Sequence, residues 1–209
     1  MAMNYRLYIA SGGTFAELPV PSGMTQGLQD ISAPNAGRTE STLMMKDRIG
    51  KAPRIEVTYQ NRDTALVTSA LSLVAPEYFG VIYMDLENGG GYSYGEFYRG
   101  DVTANVYNGA MDIWSSFKFA MIKRDGKAGV ACNYTLQTTK TAATYSIPSA
   151  TYGSTPTIAV IDRKYTLNTS FSNGTLSISA IPNDTAVDST IIVKPTSMSD
   201  AVRIIDVRI

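Results

Sequence analysis

Histidine is absent from this 209-residue chain, and cysteine occurs once, at Cys132. Without imidazole neither a Ser-His-Asp or Cys-His catalytic unit nor the usual zinc sites can be built. A lone cysteine forms no internal disulfide, so Cys132 reads as a small core residue in a reducing compartment. An excess of one charge is lacking too, since 18 basic residues face 18 acidic ones. Division at Asp125 leaves 11 basic and 13 acidic residues before the cut and 7 and 5 after it, so neither part is a basic arm. Nucleic-acid binding draws its affinity from clustered Lys and Arg that neutralise phosphates, so no DNA or RNA ligand is expected. No apolar run approaches the roughly 18 residues of a membrane helix. Residues 1–13 place Arg6 inside their only apolar stretch, unlike a secretion signal.

What is present is strand patterning. Residues 5–10 alternate, with Tyr5, Leu7 and Ile9 on one face, and residues 54–59 do so strictly with Ile55, Val57 and Tyr59. Between them residues 11–50 are rich in Gly, Pro, Ser, Thr and Asn and read as a long loop, the kind kept for function or partner contact. One helix is predicted over residues 64–75, capped by Asp63, striped by Leu66, Val67, Ala70, Leu71 and Val74, and ended by Pro76. Two hairpins follow: residues 79–84 and 92–98 around Gly89, Gly90 and Gly91, then 102–107 and 112–123 around Asn108 and Gly109.

Near residues 124–129 aromatics thin out and Thr and Ser become abundant, which marks a boundary between domains 1–125 and 126–209. Seven short strands are predicted beyond it, at 133–138, 144–147, 157–161, 165–168, 176–181, 190–193 and 202–207, enough for a small immunoglobulin-like sandwich. The fold class expected is therefore mostly β, with one helix.

Asp85, Glu87, Glu96 and Asp101 flank the glycine turn. They lack the ordered spacing of a calcium loop, and no Gly-Lys-Ser or Gly-Lys-Thr follows the glycines, so they read as a hydrated rim rather than as acid-base, metal or phosphate machinery. No cofactor or metal is expected. The aromatic cluster Tyr92, Tyr94, Phe97 and Tyr98 fits either cross-strand packing or subunit contact, and Tyr92, Tyr94 and Tyr98 are candidate interface residues.

The segments Asn35-Ala36-Gly37-Arg38, Asp47-Arg48-Ile49, the strand 54–59, Pro76-Glu77-Tyr78-Phe79, the strand 81–85, Phe97-Tyr98-Arg99-Gly100-Asp101 and Trp114-Ser115-Ser116-Phe117 occur in a telling order. In that order residues 1–125 resemble an uncharacterised family of tail-region proteins from siphophages of Gram-positive hosts. The succession of elements is also similar to the tail-tube fold shared by tube proteins and the N-terminal domain of distal tail proteins. The resemblance implies a β-barrel or sandwich with one flanking helix at 63–75, assembled as a hexameric ring in the tail or baseplate of a virion built in the host cytoplasm. It implies tape-measure, tube and baseplate-hub neighbours, DNA passing through the lumen without specific binding, no membrane and no enzymatic activity. Asp47, Arg48 and Arg54 become candidates for ion pairs between subunits, Arg38 is a further candidate interface residue, and residues 11–50 would order on assembly by adding to a neighbour's sheet. Other readings are a neck or tail-completion protein, or a C-terminal glycan-binding module in which Tyr145, Tyr152 and Tyr165 stack on sugars.

Overall fold

The computed structural model describes residues 6–11, 13–32, 37–38, 44–45, 48–87, 89–108, 110, 112–196 and 202–209. In chain order the elements are β1 (Tyr8–Ser11), β2 (Thr14–Glu17), β3 (Gly23–Ser32), β4 (Gly37–Arg38), β5 (Met44–Met45) and β6 (Arg48–Asp63), then helix α1 (Thr64–Leu73). Strands β7 (Phe79–Asp85), β8 (Gly91–Asn108), β9 (Ile113–Lys123), β10 (Val130–Ala131), β11 (Asn133–Gln137) and β12 (Ala143–Ser146) follow. After the short α2 (Ser149–Tyr152) come β13 (Thr157–Asp162), β14 (Thr169–Ser172), β15 (Thr175–Ile178), β16 (Asp188–Lys194) and β17 (Arg203–Arg208). The chain is mostly β, as the patterning predicts.

The single cut expected at Asp125 gives way to an interleaved division. One compact unit comprises Met1–Glu17, Ile82–Tyr94 and Val130–Ile209, and the second comprises Leu18–Val81 and Gly95–Gly129. Packing explains the grouping: Tyr8, Phe15, Ile82, Tyr92 and Tyr94 share one buried cluster with Ile192, Val202 and Ile204. Composition along the chain carries no trace of such a nonlocal cluster.

In the first unit the sheet β11-β17-β16-β13 and the sheet β12-β15-β14 enclose a core of Ile147, Tyr152, Leu167, Leu176, Ile178, Ile191, Val193, Ile205 and Val207. This is the predicted sandwich, with its first strand parallel to its last. Successive side chains of a strand point to opposite faces. Ile191 and Val193 therefore fill the sandwich core while Ile192 joins the cluster on the other face, and Ile205 and Ile204 divide in the same way. Covering on both faces accounts for the unbroken apolar run Ile191-Ile192-Val193. Residues 165–168 are not a strand; β14 begins at Thr169.

The second unit is built on the antiparallel order β8-β9-β6-β3. Ile55, Val57 and Tyr59 lie opposite Met121, Phe119 and Phe117, and all six are buried. The Tyr59 ring stacks on Phe117 with centroids 5.8 Å apart. Helix α1 lies against β6 and β9 and buries Val67 and Ala70. It starts where predicted, because the Asp63 carboxylate accepts the Leu66 N–H at 2.8 Å and satisfies a donor with no partner in the first turn.

Three expectations need correction. Residues 11–50 are not a loop with little order: they contain β2 and the ten-residue β3, which pairs with β6 from Gly23↔Thr58 to Ile31↔Gly50. Strand β3 is held by its ladder rather than by burial, so it lacks the apolar alternation that announces a strand. The strands predicted at 92–98 and 102–107 are one strand, β8, whose pairing with β9 shifts register between Arg99 and Val102 and leaves Gly100 and Asp101 as a bulge. Finally, the strand order among the described residues is open, so no closed barrel forms.

Candidate functional site

Two strand edges of the second unit are its most exposed structure. Among the described residues β3 pairs only with β6 and ends the sheet. At the opposite edge β8 is 18 residues long against seven in β7, so much of it extends past that neighbour. Residues 101–106 of β8 and 27–31 of β3 are exposed at every position, and therefore on both faces. They carry apolar side chains: Leu28 and Ile31 on one edge, Val102 and Val106 on the other, the last 58% exposed. Water gains nothing from such residues, and an unpaired strand edge offers N–H and C=O groups to a further strand.

The sequence-derived interface candidates are dispersed. Arg38 lies in β4 opposite Met44, Arg48 lies in β6 opposite Ser32, and Asp47 lies outside the described residues. Arg54 Nη2 donates to Glu56 Oε2 at 3.3 Å, two residues along the same strand, so its exposed ion pair is made within the chain. Tyr92 and Tyr94 are 3% and 5% exposed and are not available to a partner. The Tyr92 ring lies 5.7 Å from that of Tyr134, and Tyr94 meets Phe15 edge-on at 6.2 Å. Tyr98 does remain exposed. With Pro76, Tyr78, Arg99 and Arg124 it lines a groove of about 420 Å³, in which the Arg124 guanidinium sits 4.2 Å above the Tyr78 ring.

The first unit holds a charge network absent from the sequence expectations. Arg6 donates to Glu17 at 3.3 Å and to Asp188 at 2.9 Å, while Arg163 donates to the same two carboxylates at 2.6 and 3.0 Å. Arg163 Nη2 also reaches Thr190 Oγ1 at 3.1 Å, and that hydroxyl donates to Asp206 Oδ1 at 2.6 Å. Tyr134 and Arg208 close the chain on Asp206. Burial, then the Asp206 charge, pushes the Tyr134 phenol up to about 12. Each carboxylate is held by at least two donors, and the phenols stay protonated, so the network fastens strands and offers neither a general base nor a nucleophile.

Two carboxylates of the acidic rim are committed as well. Asp85 Oδ1 accepts the Glu87 N–H at 3.0 Å, and Glu96 receives Arg124 at 2.7 Å. No group of three metal-binding side chains occurs among the described residues. Burial raises the Cys132 thiol to about 12, far from a reactive thiolate. The tyrosines expected to stack on sugars are packing residues: Tyr152 belongs to the sandwich core, and Tyr145 and Tyr165 lie partly buried against it. No described helix is long and apolar enough to cross a membrane.

No family model matches the chain. No curated protein matches it either. Among solved structures it is similar to a chain from a structure titled "Virion of native gene transfer agent (GTA) particle", with 13% identity and a TM-score of 0.38 over 60% of this chain and 95% of that one.

Proposed function

We propose that this chain is a structural subunit of a tailed-bacteriophage particle, a tail or baseplate component that acts by self-assembly and not as an enzyme. The observation that carries the assembly reading is the pair of uncovered edges, β3 and the distal half of β8, each lined by exposed apolar residues. The two edges differ in sequence, so pairing β3 of one copy with β8 of the next is a head-to-tail contact, which closes into a ring or continues as a tube. The tail position rests on the ordered motifs of residues 35–117. The absence of histidine and the engagement of Asp85 and Glu96 support a non-catalytic role.

Sedimentation velocity and negative-stain microscopy test the reading. The wild-type chain should form rings or tubes as its concentration rises. Ile31→Lys and Val106→Lys place a charge on each edge and should leave a folded monomer of unchanged melting temperature. A wild-type chain that stays monomeric at every concentration, or lysine variants that assemble as it does, would refute the proposal.

A further inference from the structure

We propose that one end of the first unit's sandwich is a binding site for a neutral saccharide. Residues at the end of β12, in α2 and in the β14–β15 turn enclose a cleft of about 600 Å³, within the usual range for small-ligand sites. Its polar lining consists of Ser146, Ser149, Ser154, Asn173 and Thr175, and its one aromatic is Phe171, 37% exposed. None of its lining residues is ionisable. No lining residue balances the charge of a phosphate, carboxylate or metal ion, and the adjacent Arg203 guanidinium is engaged on the Ser146 carbonyl at 2.8 Å. Hydroxyl and amide groups, each both donor and acceptor, instead match a ligand made of hydroxyls. The side chains of Ser149, Ser154, Asn173 and Thr175 make no hydrogen bond to another described residue, so their capacity is open to a ligand. The exposed Phe171 face offers the flat apolar surface on which the C–H face of a pyranose packs.

The cleft is also preformed. Ile147 N–H donates to Gly174 O at 2.7 Å and ties β12 to the β14–β15 turn. Tyr152 N–H donates to Pro148 O at 2.9 Å, and Thr196 N–H donates to Tyr152 O at 3.1 Å, so α2 is pinned at both ends while the Tyr152 ring is sunk in the core. Gly153 adopts φ +79 with Thr196 packed against it where a Cβ would stand, so only glycine fits this turn. A rigid rim binds without an ordering cost. A single such site is weak, and copies displayed on an assembly would gain by multivalency. The site stands independently of the assembly reading.

Affinity electrophoresis of the full-length protein, in native gels cast with soluble glucan, mannan or galactan and, as the charged arm, polygalacturonate, tests the proposal. At least one neutral polymer should retard the wild type, and polygalacturonate should not. Phe171→Ala and Asn173→Gly, the glycine because Asn173 stands at φ +49 where alanine would be strained, should each weaken retardation by about tenfold, with unchanged melting temperature. The site is overturned if no neutral polymer retards the protein, if polygalacturonate retards it more strongly, or if neither substitution changes a retardation that does occur. Sedimentation of the same samples reports assembly separately, so failure of one reading leaves the other intact.

Discussion

Arg163→Met is the sharpest probe of the charge network, because methionine keeps much of the stem and deletes the guanidinium. Arg163 donates to Glu17, Asp188, Thr190 and, at 3.4 Å, to the Tyr8 hydroxyl, and its side chain is only 16% exposed. Breaking a fully buried pair from one side costs about 3–5 kcal/mol because a charge is left unpaired, whereas an exposed pair is worth about 0–1 kcal/mol. Here both carboxylates retain Arg6 and some water, with 15% and 22% of their side chains exposed, so the cost falls between those limits. An expectation of about 2–3 kcal/mol corresponds to a melting point lower by about 4–12 °C for a chain of this size. Arg54→Met is the matched control: its pair with Glu56 is 42% and 39% exposed, and its loss should cost no more than about 0.5 kcal/mol. Thermal unfolding followed by near-ultraviolet circular dichroism gives both values. Adding Glu17→Gln to Arg163→Met should cost less than the sum of the single changes, since the double variant leaves one carboxylate, Asp188, short of a donor where Arg163→Met leaves two. Equal losses from Arg163→Met and Arg54→Met, or strict additivity, would show that the network does not act as a unit.

A Cβ at Gly50 would lie 2.7 Å from the Gly126 carbonyl oxygen and 2.9 Å from its Cα, both backbone atoms. Gly50→Ala should therefore lower stability by about 1–3 kcal/mol, while Gly27→Ala, with open space around it, changes denaturant midpoints little. With its thiol raised to about 12, Cys132 should react with iodoacetamide at pH 8 about a thousandfold more slowly in the native protein than after unfolding. Mass spectrometry measures this, and comparable rates would contradict the burial. Tyr8, Tyr59, Tyr92 and Tyr134 are all raised above 10.0, chiefly by burial. A raised folded-state value favours the folded protein below the ordinary value, and that contribution is lost as pH climbs through the folded one. Stability should thus fall above pH 10, with part of the phenolate absorbance appearing only on unfolding. Ionisation of all 13 tyrosines near pH 10 with native circular dichroism intact would rule this out.

Elements with a local cause were readable from the chain. Asp63 followed by a helical apolar stripe located α1, the alternation of Ile55, Val57 and Tyr59 located the centre of β6, and short apolar strands between turns located the sandwich. Elements with a nonlocal cause were not. Strand β3 is specified by the β6 backbone it pairs with and by almost no burial of its own, so Gly23–Ser32 passes for loop composition. Arg6, Glu17, Arg163, Asp188 and Asp206 meet across most of the chain length, and isolated charges give no pattern from which to foresee a network.

Tyr92 and Tyr94 show why an interface is harder to read than a core. Aromatic residues favour both places for one reason, the removal of a large ring from water. What separates the two is the identity of the covering residues: Phe15 covers Tyr94, and Tyr134 covers Tyr92. Both partners lie tens of residues away, and their presence is invisible to spacing. Val102 and Val106 pose the converse case, for they alternate as strand residues covered on one face do and yet stay exposed among the described residues. An apolar strand left bare at a sheet edge either destabilises a monomer or belongs to a larger assembly. That choice is why the lysine substitution at Val106, rather than any change in the aromatic cluster, discriminates between a free-standing protein and a subunit.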